Sequence, residues 1–277
     1  VIRLLRIGNC AMAGFAAVIG AGIVYDMTEI PVPGAILLFS SVFLITGAGN
    51  AINDFFDAEI DAINKPMRPI PSGRLSRTSA LYFSIALFGA GVVLASLINT
   101  ICLAIAILNS ILLILYARNL KQRALVGNVC IGFLTGSTFL FGGALFGTCG
   151  IVRTAGLFAL AMLATTAREI AKDIEDVDGD SALGLDTLPI RVGKERAGFL
   201  ASAIGSITVM LSPLPYLAGF SAWYMLVIVF ADLCFFFAML RLMRGDAAGS
   251  SRLFKGGMAI ALAAFVVGSV GGTPIVI

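Results

Sequence analysis

Two stretches of this 277-residue chain gather most of its acidic side chains. The first reads NDFFDAEID, residues 53–61, and the second REIAKDIEDVDGD, residues 168–180. Asn53, Asp57 and Asp61 follow an i, i+4, i+8 spacing. On a helix they drift by only about 80° and share one face. Asp54 sits beside that face and Glu59 falls away from it. Asp173, Asp176 and Asp180 are spaced i, i+3, i+7, again one face, and Gly179 is expected to loosen the helix end there. Carboxylates converging in this way repel one another and need positive charge in compensation. With no histidine in the chain and no thiolate in either stretch, the donors are all oxygen, which suits a hard cation. Few protein ligands per ion, with positions left open, favour Mg²⁺ shared with a substrate phosphate over a calcium loop. Arg68, Lys121, Arg123, Arg168 and Lys172 stand near the two stretches in sequence or in topology and match a phosphate too. Metal ions and a lysine together can stabilise a departing diphosphate. The missing histidine also excludes His-dependent triads, His zinc sites and His general bases.

The elements that must position these acids are set by composition. Hydrophobic residues make up 59% of the chain and charged ones 13%, with a mean hydropathy of +1.00. An ordinary soluble domain carries about 25% charged residues. So much apolar surface cannot be hidden in one soluble core of this size, and lipid must be the solvent. The chain therefore reads as an all-α polytopic membrane protein. Nine helices are expected, centred near Val18, Phe43, Leu87, Leu108, Phe139, Leu160, Ile204, Val229 and Ala264. The breaks are marked by Pro31 and Pro33, by Asn99-Thr100, and by Pro213 and Pro215. The first apolar run lacks a convincing cleavage site before a polar region and reads as a retained helix.

Lysine and arginine orient the helices. With the N-terminus inside, the inner segments hold Arg3, Arg6, Lys65, Arg68, Arg74, Arg77, Arg118, Lys121, Arg123, Arg168, Lys172, Arg191, Lys194, Arg196, Arg241, Arg244, Arg252 and Lys255, which is 18 of the 19 basic residues. Arg153 alone falls outside, beside two outer acids, Asp26 and Glu29. Both acid clusters then end even-numbered helices on the cytoplasmic side, and each precedes a Pro/Gly-containing loop. That likeness suggests one membrane domain, 1–277, made of two four-helix halves, 1–123 and 124–245, plus a ninth helix at 253–272. The clusters would then face each other across a central cavity. The net charge of +3, with no long basic stretch, excludes nucleic acid as a partner. Cys10, Cys102, Cys130, Cys149 and Cys234 have no paired spacing and read as packing residues. Asp232, in mid-helix, is either a cavity residue or a structural acid. Asn109 is expected to bond between helices, and Gly14, Gly20, Gly22, Gly89, Gly91, Gly142 and Gly143 to allow close helix approach.

On these residues the chain resembles a known family. NDFFDAEIDAINKPMRPIPSGRLS (53–76) is similar to the first Asp-rich motif of the UbiA-type intramembrane prenyltransferases, with N-x-x-x-D-x-x-x-D followed by R-P-x-P-S-G. DIEDVDGDSALGLDTLPIRVG (173–193) is similar to the second, whose D-x-x-x-D falls on Asp176 and Asp180. Tyr116 and Lys121 in YARNLKQ resemble the family's Tyr…Lys element. The likeness covers essentially the whole chain. Residues 4–23 and 167–180 look most like archaeal members that move a geranylgeranyl group from its diphosphate to the free hydroxyl of geranylgeranylglyceryl phosphate, in ether-lipid synthesis. Other members prenylate aromatic acceptors of the quinone, haem and chlorophyll pathways.

The resemblance implies a prenyl diphosphate donor, a lipid-phosphate acceptor, and two Mg²⁺ ions between the clusters. Asp54, Asp57, Asp61, Asp173, Asp176 and Asp180 would be metal ligands. Asn53 would orient a phosphate oxygen or a ligand, and Lys121 and Arg68 would neutralise the diphosphate. Tyr116 would face the allylic cation, with Phe55 and Phe56 packing nearby. Arg6, Asn9, Arg74 and Lys172 are candidates for the acceptor's phosphate. The tail would lie among the helices or pass out to lipid. Two rivals fit less well. A CDP-alcohol phosphatidyltransferase would need an Arg after the Ala of VDGDSALG, and none is there. A cation-coupled transporter would place its acids near the bilayer midplane rather than at inner helix ends beside bases.

Overall fold

The structure, a computed structural model, describes residues 2–24 and 30–270. The outer acids Asp26 and Glu29 lie outside the described residues. In chain order the helices are α1 (Ile2–Leu5), α2 (Ile7–Val24), α3 (Val32–Phe56), α4 (Ala58–Asn64), α5 (Arg77–Ser96), α6 (Thr100–Arg118), α7 (Val126–Gly143), α8 (Gly147–Ala182), α9 (Leu188–Val192), α10 (Lys194–Leu211), α11 (Leu214–Leu217), α12 (Ala222–Met243) and α13 (Ala247–Ser269). Among the described residues there is no β-strand, only one isolated parallel bridge between Arg123 and Asp186. Helix is what lipid demands, because a helix satisfies its backbone hydrogen bonds within one segment.

Among the described residues, eight segments are long and apolar enough to cross a membrane. One of them spans residues 126–182 and contains both α7 and α8. These two run antiparallel. Gly143 lies against Gly150, Gly136 against Phe158 and Gly132 against Met162, so positions descend in one helix as they climb the other. The expected centres Phe139 and Leu160 both fall in this segment, one in each helix.

Local chemistry accounts for most helix ends. Pro31 and Pro33 bracket the start of α3, where the first N–H groups have no helical partner to lose. Ser76 caps α5 by accepting from the Ser79 N–H at 3.0 Å, and Asn99 caps α6 by accepting from the Cys102 N–H at 2.8 Å. Asp246 caps α13, accepting from the Gly249 N–H at 2.8 Å. That backbone bond, with Arg241 beside it, holds its carboxyl below the usual range. Arg153 donates at 2.9 Å to the carbonyl of Val24, a C-terminal carbonyl of α2 that the helix itself cannot satisfy. The base that the sequence reading sets apart from the others thus has a structural use. Gly179 does not loosen α8. The helix runs through it to Ala182 and ends only where Gly184 takes a positive φ of 67°.

Glycine brings the helices close enough to bury backbone against backbone. A methyl group at Gly142 would collide with the Ala17 carbonyl oxygen on α2, and one at Gly150 with the carbonyl of Gly143. Ser41 on α3 donates to the Gly91 carbonyl of α5 at 2.8 Å across another such approach. Asn109 joins α6 to α7 through Ser137 at 2.8 Å, as expected. Gly89 differs from the expectation, since a Cβ there meets nothing within 4 Å. Substituting Gly142→Ala should therefore cost about 1–3 kcal/mol through overpacking. Gly89→Ala should be neutral or slightly stabilising, because alanine is the better helix former. Thermal unfolding of the two variants in one detergent checks the contrast.

Candidate active site

The helices enclose one large cavity of about 1080 Å³. Along α8 its wall runs from Leu160 to Asp180, about 30 Å at the rise of a helix. Its two ends differ in chemistry. At one end stand Asn53, Asp57, Asp61, Asp173, Asp176 and Asp180. Further in, the lining turns to Val42, Ile45, Phe139, Leu160, Ile228 and Phe265. A molecule with a charged head and a long apolar tail matches this gradient.

The first acid row comes from α3 and α4. The chain kinks at Asp57, but the helical bonds carry on through it: the Asp57 N–H donates to Asn53 at 2.9 Å and the Asp61 N–H to Asp57 at 2.7 Å. The spacing therefore survives the kink, and all three side chains reach the cavity. Asn53 Nδ2 donates to Asp57 Oδ2 at 2.8 Å. Lys121 Nζ donates to Asn53 Oδ1 at 3.3 Å and also pairs with Asp57. Arg68 Nη1 pairs with Asp61 at 2.5 Å and with Asp54 at 3.3 Å, and Arg6 Nη2 pairs with Asp54 at 2.7 Å. Asp54 is 5% exposed and stands behind the cavity wall, engaged by two guanidinium groups. Glu59 points away, as its spacing implies, and pairs with exposed Arg77 at 3.0 Å.

Arg6 reaches Asp54 because the chain breaks between α1 and α2. Its φ is +51°, a conformation arginine rarely adopts. The break frees the Leu5 carbonyl, which accepts from Asn50 Nδ2 at 2.8 Å and from Cys10 Sγ at 2.9 Å. Buried partners on either side thus hold the strained turn.

The second row lies along α8. Asn128, at the start of α7, donates to Asp173 Oδ2 at 2.7 Å. Lys172 lines the cavity on the same helix, while Arg168 is paired with Glu169. The two rows therefore differ in charge. Three cations offset the first, whereas Lys172 alone accompanies Asp173, Asp176 and Asp180 within the second. Among the described residues no three acids stand close enough to hold an ion by themselves. The donor set, carboxylate and amide oxygen, nonetheless fits a hard divalent ion whose remaining positions go to phosphate oxygens and water.

Tyr116, Asn9 and Lys172 also line the cavity, but Arg74 is exposed outside it and Arg123 is not part of its wall. Phe55 and Phe56 pack edge to face at 5.1 Å, with Arg77 over the Phe55 ring, away from the cavity. Asp232 is a cavity residue. It accepts from Ser212 Oγ at 2.8 Å, and Tyr224 donates to the Ser212 carbonyl at 2.6 Å. Asp186 lies outside the cavity. Arg191, hydrogen-bonded to it, holds its carboxyl below the usual range. Sequence reasoning missed Glu169, Gln122 and Lys255 on the wall, and Asn128 behind it. Glu169 had a signal, being one turn before Asp173 on the same face. Asn128 had only its polarity at the head of an apolar helix.

Comparison with known proteins gives the chain a family. The UbiA prenyltransferase family model matches residues 11–276, and the chain belongs to that family of prenyl-transferring enzymes. Particular relatives narrow the likeness. The digeranylgeranylglyceryl phosphate synthase of Methanosarcina mazei is 50% identical over 96% of this chain and 97% of its own. That of Methanococcoides burtonii is 49% identical over 97% of this chain and 99% of its own. A solved structure of digeranylgeranylglyceryl phosphate synthase superposes with a TM-score of 0.83 at 41% identity, covering 96% of each chain. A UbiA homologue from Archaeoglobus fulgidus bound to GPP and Mg²⁺ shares the fold, with a TM-score of 0.70 at 18% identity over 94% of this chain and 98% of its own.

The pairing pattern makes Asp54 and Glu59 behave differently. Asp54→Ala strips two part-buried guanidinium groups of a partner and should destabilise by about 1–3 kcal/mol. Glu59→Ala, in an exposed pair, should leave the unfolding midpoint where it was. Parallel thermal melts measure both.

Proposed function

We propose that this protein transfers a geranylgeranyl group from its diphosphate to the free hydroxyl of geranylgeranylglyceryl phosphate, forming the second ether bond of an archaeal lipid. The observation that carries this reading is the single cavity that joins two acid rows to a long apolar shaft. Relatives named for this product, similar along their whole length, support the choice of acceptor. The homologue bound to GPP and Mg²⁺ supports the donor class and the ion.

Asp57 and Asp61 on one wall, with Asp173, Asp176 and Asp180 on the other, would hold two Mg²⁺ ions. When bound, the ions supply positive charge that stabilises the diphosphate as it departs. Lys121, anchored by Asn53 and Asp57, and Arg68, anchored by Asp61, add fixed positive charge at the same end. Asp54 serves as the post that positions Arg6 and Arg68. The bond from the allylic carbon to the diphosphate oxygen breaks as that carbon becomes cationic, with the Tyr116 ring and the acid rows close by. The acceptor oxygen then bonds to the carbon. Its proton passes to water, phosphate or a carboxylate, so no histidine is required. The apolar shaft takes the tail and keeps water from the reacting carbon.

In the membrane we place nine crossings, counting α7 and α8 separately, with the N-terminus and the acid rows on the cytoplasmic side of the cell membrane. Two halves, 1–123 and 124–245, then bring one acid row each to the shared cavity. Cys149, at the outer start of α8, is the one exposed cysteine of five and reports on this orientation. A membrane-impermeant maleimide should label it on intact spheroplasts. Labelling only after the cytoplasmic face is opened would reverse the topology.

Purified protein with Mg²⁺, geranylgeranyl diphosphate and a panel of acceptors should yield the doubly prenylated glyceryl phosphate, identified by mass. Asp57→Ala and Asp176→Ala should abolish it. Transfer to an aromatic acceptor alone would overturn the acceptor assignment, and full activity in both variants would overturn the role of the acids.

A further inference from the structure

Among the cations on the cavity wall, Lys255 has no place in the scheme above. Arg6, Arg68, Lys121 and Arg168 are each paired with a carboxylate, and Lys65, which has no ion pair among the described residues, is exposed just after α4 at the acid-row end. Lys172 is flanked by Asp173 and, one turn on, Asp176. Lys255 sits two turns inside α13, lines the cavity and has no carboxylate within 4 Å among the described residues. The nearest acid on the neighbouring helix α12, Asp232, is bonded to Ser212 instead. Lys255 is exposed, and with no carboxylate holding it, its ammonium group is open to an anionic group that enters the cavity.

Its depth is informative. Gly198 on α10 lies level with Ile174 on α8 and Leu242 on α12, beside the second acid row. Further along α10, Gly205 lies level with Met239 and Phe254, the residue before Lys255. The backbone at Lys255 is thus about 5–10 Å beyond the level of Ile174, toward the apolar shaft, and its side chain leans back toward the acid rows. The α13 wall of the cavity is otherwise Met258, Ala259, Ala261, Leu262 and Phe265, without an acid. Gly256 beside the lysine leaves open space, since a Cβ there meets nothing within 4 Å.

This placement bears on a problem set by the proposed reaction, on which the inference rests. The acceptor brings a second phosphate, on the glycerol carbon next to the attacking hydroxyl. That phosphate must lie a few bonds from the reacting carbon, yet the walls at the level of the diphosphate are lined with carboxylates that repel it. It needs a cation just below the acid rows, on a wall without acids. We propose that Lys255 holds the phosphate of the lipid acceptor and makes the enzyme selective for a phosphorylated one. A single ammonium group gives a point contact to phosphate and orients the glycerol so that its hydroxyl faces the donor carbon.

The test compares the wild-type chain with Lys255→Met and Lys255→Arg in nanodiscs, using geranylgeranylglyceryl phosphate and its dephosphorylated alcohol as acceptors. Lys255→Met should raise KM for the phosphorylated acceptor by about tenfold or more, the loss expected for one charge-assisted hydrogen bond. KM for geranylgeranyl diphosphate and for the dephosphorylated acceptor should not move, and Lys255→Arg should restore most of the affinity. An unchanged KM for the phosphorylated acceptor in Lys255→Met, or an equal loss with both acceptors, overturns the role of Lys255 while the proposed reaction stands. A wild-type chain that does not use the phosphorylated acceptor at all overturns both.

Discussion

The arrangement rests on the repulsion between carboxylates collected where water gives way to lipid. Two rows of acids at the mouth of an apolar cavity cannot stand together unless positive charge is fixed among them. The protein meets the two rows differently. Arg6, Arg68 and Lys121 come from three separate segments to engage the first. The second keeps Lys172 and the amide of Asn128, and so retains the more negative balance. A divalent ion and a diphosphate together complete such a site. Both walls carry carboxylate oxygens, and the fixed cations stand mainly beside the first row.

The remainder of the fold holds the helices around this charged mouth and lines the shaft with apolar side chains. Glycine-lined approaches between α2, α7 and α8 lock the helices that carry Arg6, Asn128 and the second row. The helices are interrupted at Arg6, whose side chain pairs with Asp54, and at Asp57, where the backbone hydrogen bonds nonetheless continue. Long helices thus give precision to a site whose charged side chains all approach from one end.

Much of this was legible in the chain. The apolar runs, the basic bias and the i, i+4, i+8 and i, i+3, i+7 spacings rest on helix geometry, which is local, and Asn53, Asp57, Asp61, Asp173, Asp176 and Asp180 do share one cavity. Less legible was which acids face that cavity. Asp54 is adjacent to Asn53 in sequence yet stands behind the wall, because two arginines from remote segments draw it there. Gly179 resembled a helix end, but the turn that ends α8 lies beyond it.

The sequence by itself determined that lipid is the solvent, that the structure is helical and that two acid rows exist. Each of these follows from composition or from a period of a few residues. Tertiary structure alone decided which cation meets which acid, that Asn128 reaches Asp173 from another helix, that Asp232 faces the cavity, and that Lys255 is left unpaired below the acid rows. The reason is physical. A helix sets the direction of its side chains relative to its own axis, whereas partners dozens of residues apart meet only when close packing fixes the rotation and depth of one helix against the next.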